Sequence, residues 1–323
     1  MTTTQRYTFT DRLPAEHYRA ALTADISIGL AATPKTTSPM WFYDALGSKL
    51  YEEITRLPEY TAHRSEEGIL ALCADAVAEF APWRELVDLG SGASEKTLLL
   101  LDSVETLDSY VALDVSASAL HGAASRIAGN YPHLDVTALR TDFNQDLGLG
   151  DVAGERLIYF SGSTIGNLRP RPRRRFLRRL RSQMRPGDAL LLGTDLTRAV
   201  PDMIAAYDDS QGLTAAWNLN LLAVLNRELG SGFDPDAFAH QAVWDASAQA
   251  IEMRLQSLVD QVVPIPALDR EFHFVKGEEW TTETSAKFSP DRVVAELAAA
   301  GLGLRNWWTD AERRFGLSLS TVM

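Results

Sequence analysis

The chain has 323 residues, 46% of them hydrophobic, enough for one large or two moderate domains with a full core. Its 31 basic and 43 acidic residues leave a net charge of −12, which sets the surface against nucleic acid and acidic membranes. The single cysteine, Cys73, excludes an internal disulfide and a cysteine-rich metal site, and neither a signal-peptide pattern nor an uncharged apolar run of membrane-spanning length is present, so a cytoplasmic globular protein is expected.

Residues 14–32 pattern as a helix, ended by Pro34. In SKLYEEITRL, Leu50, Tyr51, Ile54 and Leu57 share one helical face, with Ser48 as the expected cap and Pro58 as the stop. SEEGILALCADAVAEF predicts a third helix, capped by Ser65, with the acids Glu66 and Glu67 in its first turn and Ile69, Leu70, Cys73, Val77 and Phe80 at helical spacing. From residue 85 apolar strands alternate with helices: ELVDLG, SYVALDVS, DVTALRTDF, RLIYFSG and DALLLGTDL read as strands. The fold class is therefore α/β, a mainly parallel sheet covered on both faces. After Asp195 the alternation stops: residues 200–230 read as helical, 240–265 as a hairpin, REFHFVKGEEW and TTETSAKF as strands, and SPDRVVAELAAAG as a last helix before two short apolar stretches. The expected sheet domain is 65–197 plus 288–323, and a smaller α+β lobe is expected from 1–64 plus 198–287, with a cleft at the carboxyl edge of the sheet.

LVDLGSGASEKT, residues 86–97, nearly spells a phosphate-binding P-loop, but Glu95 stands where the second glycine belongs. A side chain and a negative charge at that position oppose triphosphate binding. By itself the loop reads equally as a tight turn with surface acids. It is followed by Asp114 at the end of the second strand, where a carboxylate can accept from both ribose hydroxyls, and by Asp142-Phe143 at the end of the third. Together these favour S-adenosylmethionine (SAM), a sulfonium cation without phosphate, over NAD, whose third fingerprint glycine is replaced by Ser94.

PMWFYDALGSKLYEEITRLPEY, LVDLGSGASEKT, FSGSTIGNL, LLLGTDL, AAYDD, NRELGSGFDPDAF and GEEWTTETSAKF, in this order and spacing, resemble the histidine-specific Nα-methyltransferase family of ergothioneine biosynthesis over nearly the whole chain. The resemblance implies a Rossmann-like class I methyltransferase sheet with a smaller substrate lobe. It implies SAM as methyl donor, no metal, and L-histidine as the substrate that is trimethylated to hercynine. It assigns Gly90, Ser91, Gly92, Lys96, Asp114, Asp142 and Phe143 to the SAM side. It places Tyr43 near the amino group as the catalytic residue, Asn167 and Tyr207 on the substrate carboxylate, and Gly162 in the same substrate set. Tyr60 and Met253 would shape the imidazole pocket, and Glu283 and Ser285 would bind its two nitrogens. Tyr51, Thr61, Trp280 and Ala286 depart from the commonest family pattern, which bears on affinity and substrate breadth.

Methyl transfer from a sulfonium is an in-line displacement by a neutral amine, so it needs alignment and no covalent nucleophile. A tyrosine hydroxyl can orient the amine without adding charge, and a site bonded to both imidazole nitrogens rejects phenylalanine. Without the resemblance each group has a plainer use: a tyrosine core stripe, Asn167 as a helix cap, Tyr207 at a helix end, and Glu283 and Ser285 on a solvated strand face. RPRPRRRFLRRLRSQM reads as an amphipathic helix with arginines outward rather than a nucleic-acid site, and the six histidines show no metal-ligand spacing. A monomer acting on a small molecule is expected. The alternatives are another aromatic amino acid such as tryptophan as substrate, or a non-catalytic SAM-binding interaction protein.

Overall fold

The computed structural model describes residues 7–13, 15–142, 147–150 and 152–323. In chain order the strands are β1 (Thr8–Asp11), β2 (Lys35–Thr36), β3 (Trp83–Leu89), β4 (Ser109–Asp114), β5 (Asp135–Arg140), β6 (Glu155–Phe160) and β7 (Ala189–Asp195). They continue with β8 (Phe238–Asp245), β9 (Ala250–Ser257), β10 (Gln261–Ile265), β11 (Arg270–Phe274), β12 (Glu279–Ala286), β13 (Leu302–Thr309) and β14 (Phe315–Val322). The α-helices are α1 (Ala15–Gly29), α2 (Ala45–Ile54), α3 (Ala62–Phe80), α4 (Thr97–Ser103), α5 (Ala117–Asn130), α6 (Pro170–Ser182), α7 (Val200–Ala205), α8 (Leu213–Leu229) and α9 (Pro290–Ala298).

The chain forms two compact units. The first takes Met1–Arg12, Ala62–Thr197 and Lys287–Met323, and the second takes Leu13–Thr61 and Arg198–Ala286. In the first unit eight strands form one sheet in the order β1-β5-β4-β3-β6-β7-β14-β13. The run from β1 to β7 is parallel, and β14 and β13 close the edge antiparallel. Strand order reverses between β3 and β6, so the loops after these two strands flank a topological switch point. β7 is buried throughout and β3 and β6 nearly so, as strands covered on both faces must be. β1 was not anticipated: TFTD is short and mostly polar, and only its parallel pairing with β5, Thr8 beside Thr137, makes it a strand. It therefore belongs with the sheet and not with the helices that follow it.

α6 carries the arginine run as expected. Phe176, Leu177 and Leu180 are buried while Arg171, Arg174, Arg175 and Arg178 face outward. One arginine departs from this pattern: Arg173 is buried and pairs with Glu296 of α9 at 2.7 Å. Where the chain leaves this unit and re-enters it, a buried pair between Lys287 and Asp195 (2.8 Å) and a bridge between Leu196 and Phe288 hold the two passes together.

The second unit has a four-stranded sheet, β2-β12-β9-β8, and the β10-β11 hairpin. Trp41, Phe42, Trp217, Leu221, Leu225, Met253, Leu255 and Trp280 lie in its core. α2 starts three residues before the expected cap. Asp44, not Ser48, accepts from the Gly47 N–H at 2.8 Å, and Gly47 is required because a Cβ there would lie 1.7 Å from the Phe42 carbonyl. α3 likewise starts at Ala62, which leaves Ser65 inside the helix.

Candidate active site

In the first unit the turn after β3 is left-handed at Gly90 (φ 70°), Gly92 (φ 49°) and Ser94 (φ 54°). The N–H groups of Gly90 and Ser91 donate to the Leu113 carbonyl at 2.8 and 3.1 Å, which ties the turn to the end of β4. Asp114, the last residue of β4, accepts from Gly92 N–H at 2.9 Å and from Ser116 N–H at 2.8 Å. Burial raises its pKa, and the Ser116 and Gly92 N–H groups hold that rise back. Gly90, Ser91, Gly92 and Asp114 are thus assembled as one loop.

Beneath the loop, Asp88 is fully buried and accepts from the hydroxyls of Thr97 (2.5 Å) and Tyr110 (3.0 Å). Burial pushes its pKa up to about 6, more than the two hydroxyls pull it down. Among the described residues, Asp88 Oδ1 and Ser91 Oγ are buried without a hydrogen-bond partner. Orphaned oxygens under a glycine turn, beside a ribose-competent carboxylate, fit the hydroxyls and charged tail of an adenosyl sulfonium. An ionised Asp88 favours that cation. SAM affinity is therefore expected to fall about tenfold between about pH 7 and 5, as Asp88 protonates through about 6. Calorimetric titration across this range should show Asp88→Asn flattening the profile.

Lys96 was expected on the SAM side; in the structure its ammonium pairs with the carboxylate of Glu66, which is fully buried on α3. The same carboxylate oxygen accepts from the Gly162 N–H at 2.9 Å, so Glu66 joins the loop after β3 to the loop after β6. Glu66 was read only as a first-turn acid. Its signal was its place on the stripe of Ile69, Leu70, Cys73 and Val77, which are all buried. Room for it comes from Gly193 on β7, where a Cβ would lie 2.3 Å from Glu66 Oε1. Asn167 ends the 3-10 turn Thr164–Asn167 and does not cap α6, which has no side-chain cap. Asp142 lies half-buried two residues beyond β5, and Phe143 lies outside the described residues.

In the second unit the tyrosines form a continuous chain of contacts. The Tyr43 ring lies 5.6 Å from both Tyr51 and Trp217, Tyr51 Oη lies 3.3 Å from Tyr60 Oη, and the Tyr60 ring lies 6.4 Å from Tyr207. The Tyr207 hydroxyl donates to Ser285 Oγ at 2.7 Å. Burial, with the neighbouring tyrosine hydroxyls, raises the pKa of Tyr60 well above the usual phenol value, so it stays neutral. Tyr51, a departure from the family pattern, supplies the hydroxyl that meets Tyr60. Trp217, which the sequence reading did not single out, is the ring around which Phe42, Tyr43 and Tyr51 gather.

Glu283 and Ser285 point inward because β12 carries a bulge. Thr281 opposes Arg254 and Glu283 opposes Met253, which leaves Thr282 as the extra residue. Directly opposed residues share a sheet face. Glu283 and Ser285 therefore lie on the face of Met253 and Ile251, both fully buried, and are themselves only 6% and 4% exposed. Without the extra residue they would fall on the face of Glu252 and Arg254.

The first unit is a doubly wound sheet whose leading loop turns on left-handed glycines over a buried acid and whose second strand ends in a carboxylate. That combination is a Rossmann-like sheet with a nucleoside-competent carboxyl edge, and the similarities that follow make it a class I SAM-dependent methyltransferase. The family described as histidine-specific methyltransferase, SAM-dependent, matches residues 22–322. Histidine N-alpha-methyltransferase of Mycolicibacterium smegmatis is 48% identical over 311 residues, 95% of this chain and 97% of that one. The protein of the same name from Mycobacterium tuberculosis is 48% identical over 303 residues, 93% and 94% of the two chains. Ergothioneine biosynthesis protein 1 of Schizosaccharomyces pombe is 30% identical over 218 residues, 63% of this chain and 28% of that larger protein. The chain belongs to the histidine-specific, SAM-dependent methyltransferase family.

Proposed function

We propose that the protein transfers three methyl groups in turn to the α-amino nitrogen of L-histidine, giving hercynine, the first step of ergothioneine biosynthesis. The observation that carries this reading is the inward pair on β12, where a carboxylate and a hydroxyl stand on one buried face beside Met253. Neutral imidazole has one N–H and one acceptor nitrogen. Glu283 accepts from the first and Ser285 donates to the second, with Tyr60 and Met253 as walls.

SAM supplies, when bound, a methyl group on a sulfonium. Gly90, Ser91, Gly92, Lys96, Asp114, Asp142 and Phe143 are assigned to hold it. Tyr43 orients the amine through its hydroxyl and adds no charge, so the nitrogen keeps its lone pair. Asn167 offers a neutral amide donor to the substrate carboxylate, with Gly162 in the same set, and Tyr207 joins it by turning its single hydroxyl proton away from Ser285. Aromatic faces tolerate the quaternary ammonium that results, and a nitrogen with no lone pair left ends the reaction.

We further read the protein as a cytoplasmic monomer that acts on a small molecule, with no nucleic-acid or membrane partner. The net charge of −12 supports this by setting the surface against nucleic acid and acidic membranes. The test is a panel of purified protein, SAM and each proteinogenic amino acid, read by mass spectrometry. Trimethylated histidine is expected; trimethylation of tryptophan in its place would overturn the substrate assignment.

A further inference from the structure

A bulge disrupts the ladder locally, and in β12 the two β9 carbonyls beside it both meet side-chain donors. Asn218 Nδ2 donates to the Arg254 carbonyl at 3.0 Å, and Thr282 Oγ1 lies 3.1 Å from the Met253 carbonyl. The single Thr282 hydroxyl proton is shared between that carbonyl and Asn218 Oδ1, which is the nearer at 2.7 Å. Asn218, on α8, is fully buried, and its amide nitrogen lies 2.9 Å from His240 Nδ1 on β8.

The protonation pattern of this chain follows from its ends. The Arg254 carbonyl can only accept, so the amide nitrogen of Asn218 faces it, and His240 Nδ1 is then an acceptor. The ring proton therefore sits on Nε2, which lies 2.8 Å from the Tyr207 carbonyl, another group that can only accept. Both ends require the same neutral tautomer. Leu255 is the register partner of His240, so the ring lies on the same sheet face as Met253, Glu283 and Ser285.

We propose that Asn218 and His240 are positioning residues for the histidine pocket. Asn218 pins the bulge that turns Glu283 and Ser285 inward, and His240 ties Asn218 to the backbone of Tyr207, whose hydroxyl reaches Ser285. This role rests on the reading of that face as the imidazole site. It concerns neither methyl donor nor reacting atoms, so its loss acts on substrate binding and selectivity and leaves the SAM loop untouched.

The test compares His240→Phe, His240→Gln and Thr282→Val in the full chain. His240→Phe removes both ring contacts and is expected to raise the histidine KM about tenfold or more, with SAM affinity and the circular dichroism spectrum unchanged. His240→Gln keeps one donor and one acceptor and is expected to recover most of the loss. Thr282→Val removes a single hydroxyl at constant shape and is expected to raise the same KM, which keeps the test available should His240→Phe not fold. An unchanged histidine KM in folded Thr282→Val, or in folded His240→Phe, overturns the proposal. Separately, nitrogen NMR of the wild-type His240 ring is expected to show the neutral Nε2–H tautomer at neutral pH, and an Nδ1–H tautomer overturns the network. A wild-type protein inert toward histidine would overturn the functional reading and the pocket role with it, while the ring spectrum still decides the network.

Discussion

Replacing Glu283 with alanine is expected to lower kcat/KM for histidine by about 10- to 100-fold, the about 1.5–3 kcal/mol carried by a hydrogen bond to a charged group. The carboxylate is almost completely enclosed, with fully buried Met253 opposite it on β9. The larger effect is expected in selectivity. Phenylalanine in the wild-type pocket offers Glu283 no N–H and Ser285 no acceptor nitrogen, a mismatch worth about 10⁴- to 10⁵-fold discrimination. The alanine variant removes the dearer half of that mismatch, so competition between histidine and phenylalanine should show the ratio collapse while SAM binds as before. Unchanged histidine kinetics would remove Glu283 from the site.

Glu66→Gln is expected to cost about 3–5 kcal/mol of stability, because it strips the partner from an enclosed ammonium. The Lys96 side chain is 10% exposed and that of Glu66 is wholly buried. The variant also weakens the acceptor held by the Gly162 N–H, so the loops after β3 and β6 lose their shared anchor. Urea denaturation should show the loss directly, and SAM affinity should fall with it. The double variant Glu66→Gln with Lys96→Met is expected to regain part of the stability, since no buried charge is then left unpaired. Equal destabilisation by the single and double variants would show that the pair is not coupled.

Much of the first unit is legible in the sequence. The strands from β3 to β7 are short apolar runs bounded by turn residues, and a sheet buried on both faces needs no more than that pattern. The glycine turn and Asp114 were legible for a related reason: left-handed backbone and a carboxylate at a strand end are local properties. β1 was missed because its four residues are a strand only through β5. Glu66 was missed because an acid in a first helical turn has an ordinary explanation in the helix dipole. Its position on the apolar stripe became decisive only once Gly193 and Lys96 were seen to close around it.

The second unit shows where local pattern stops. Alternation along TTETSAKF correctly put Glu283 and Ser285 on one face of a strand but could not say which face was covered. That choice depends on the register between β12 and β9, and one extra residue at Thr282 reverses it. A bulge belongs to a pair of strands and not to either one, so neither segment encodes it alone. Its support comes from Asn218 and His240, 64 and 42 residues earlier in the chain than Thr282, by subtraction of the positions. Composition and periodicity were enough for the class of fold, and the glycine loop pointed to the donor only together with the acids at the strand ends; which face of β12 is covered was settled only when distant strands and a helix came into contact.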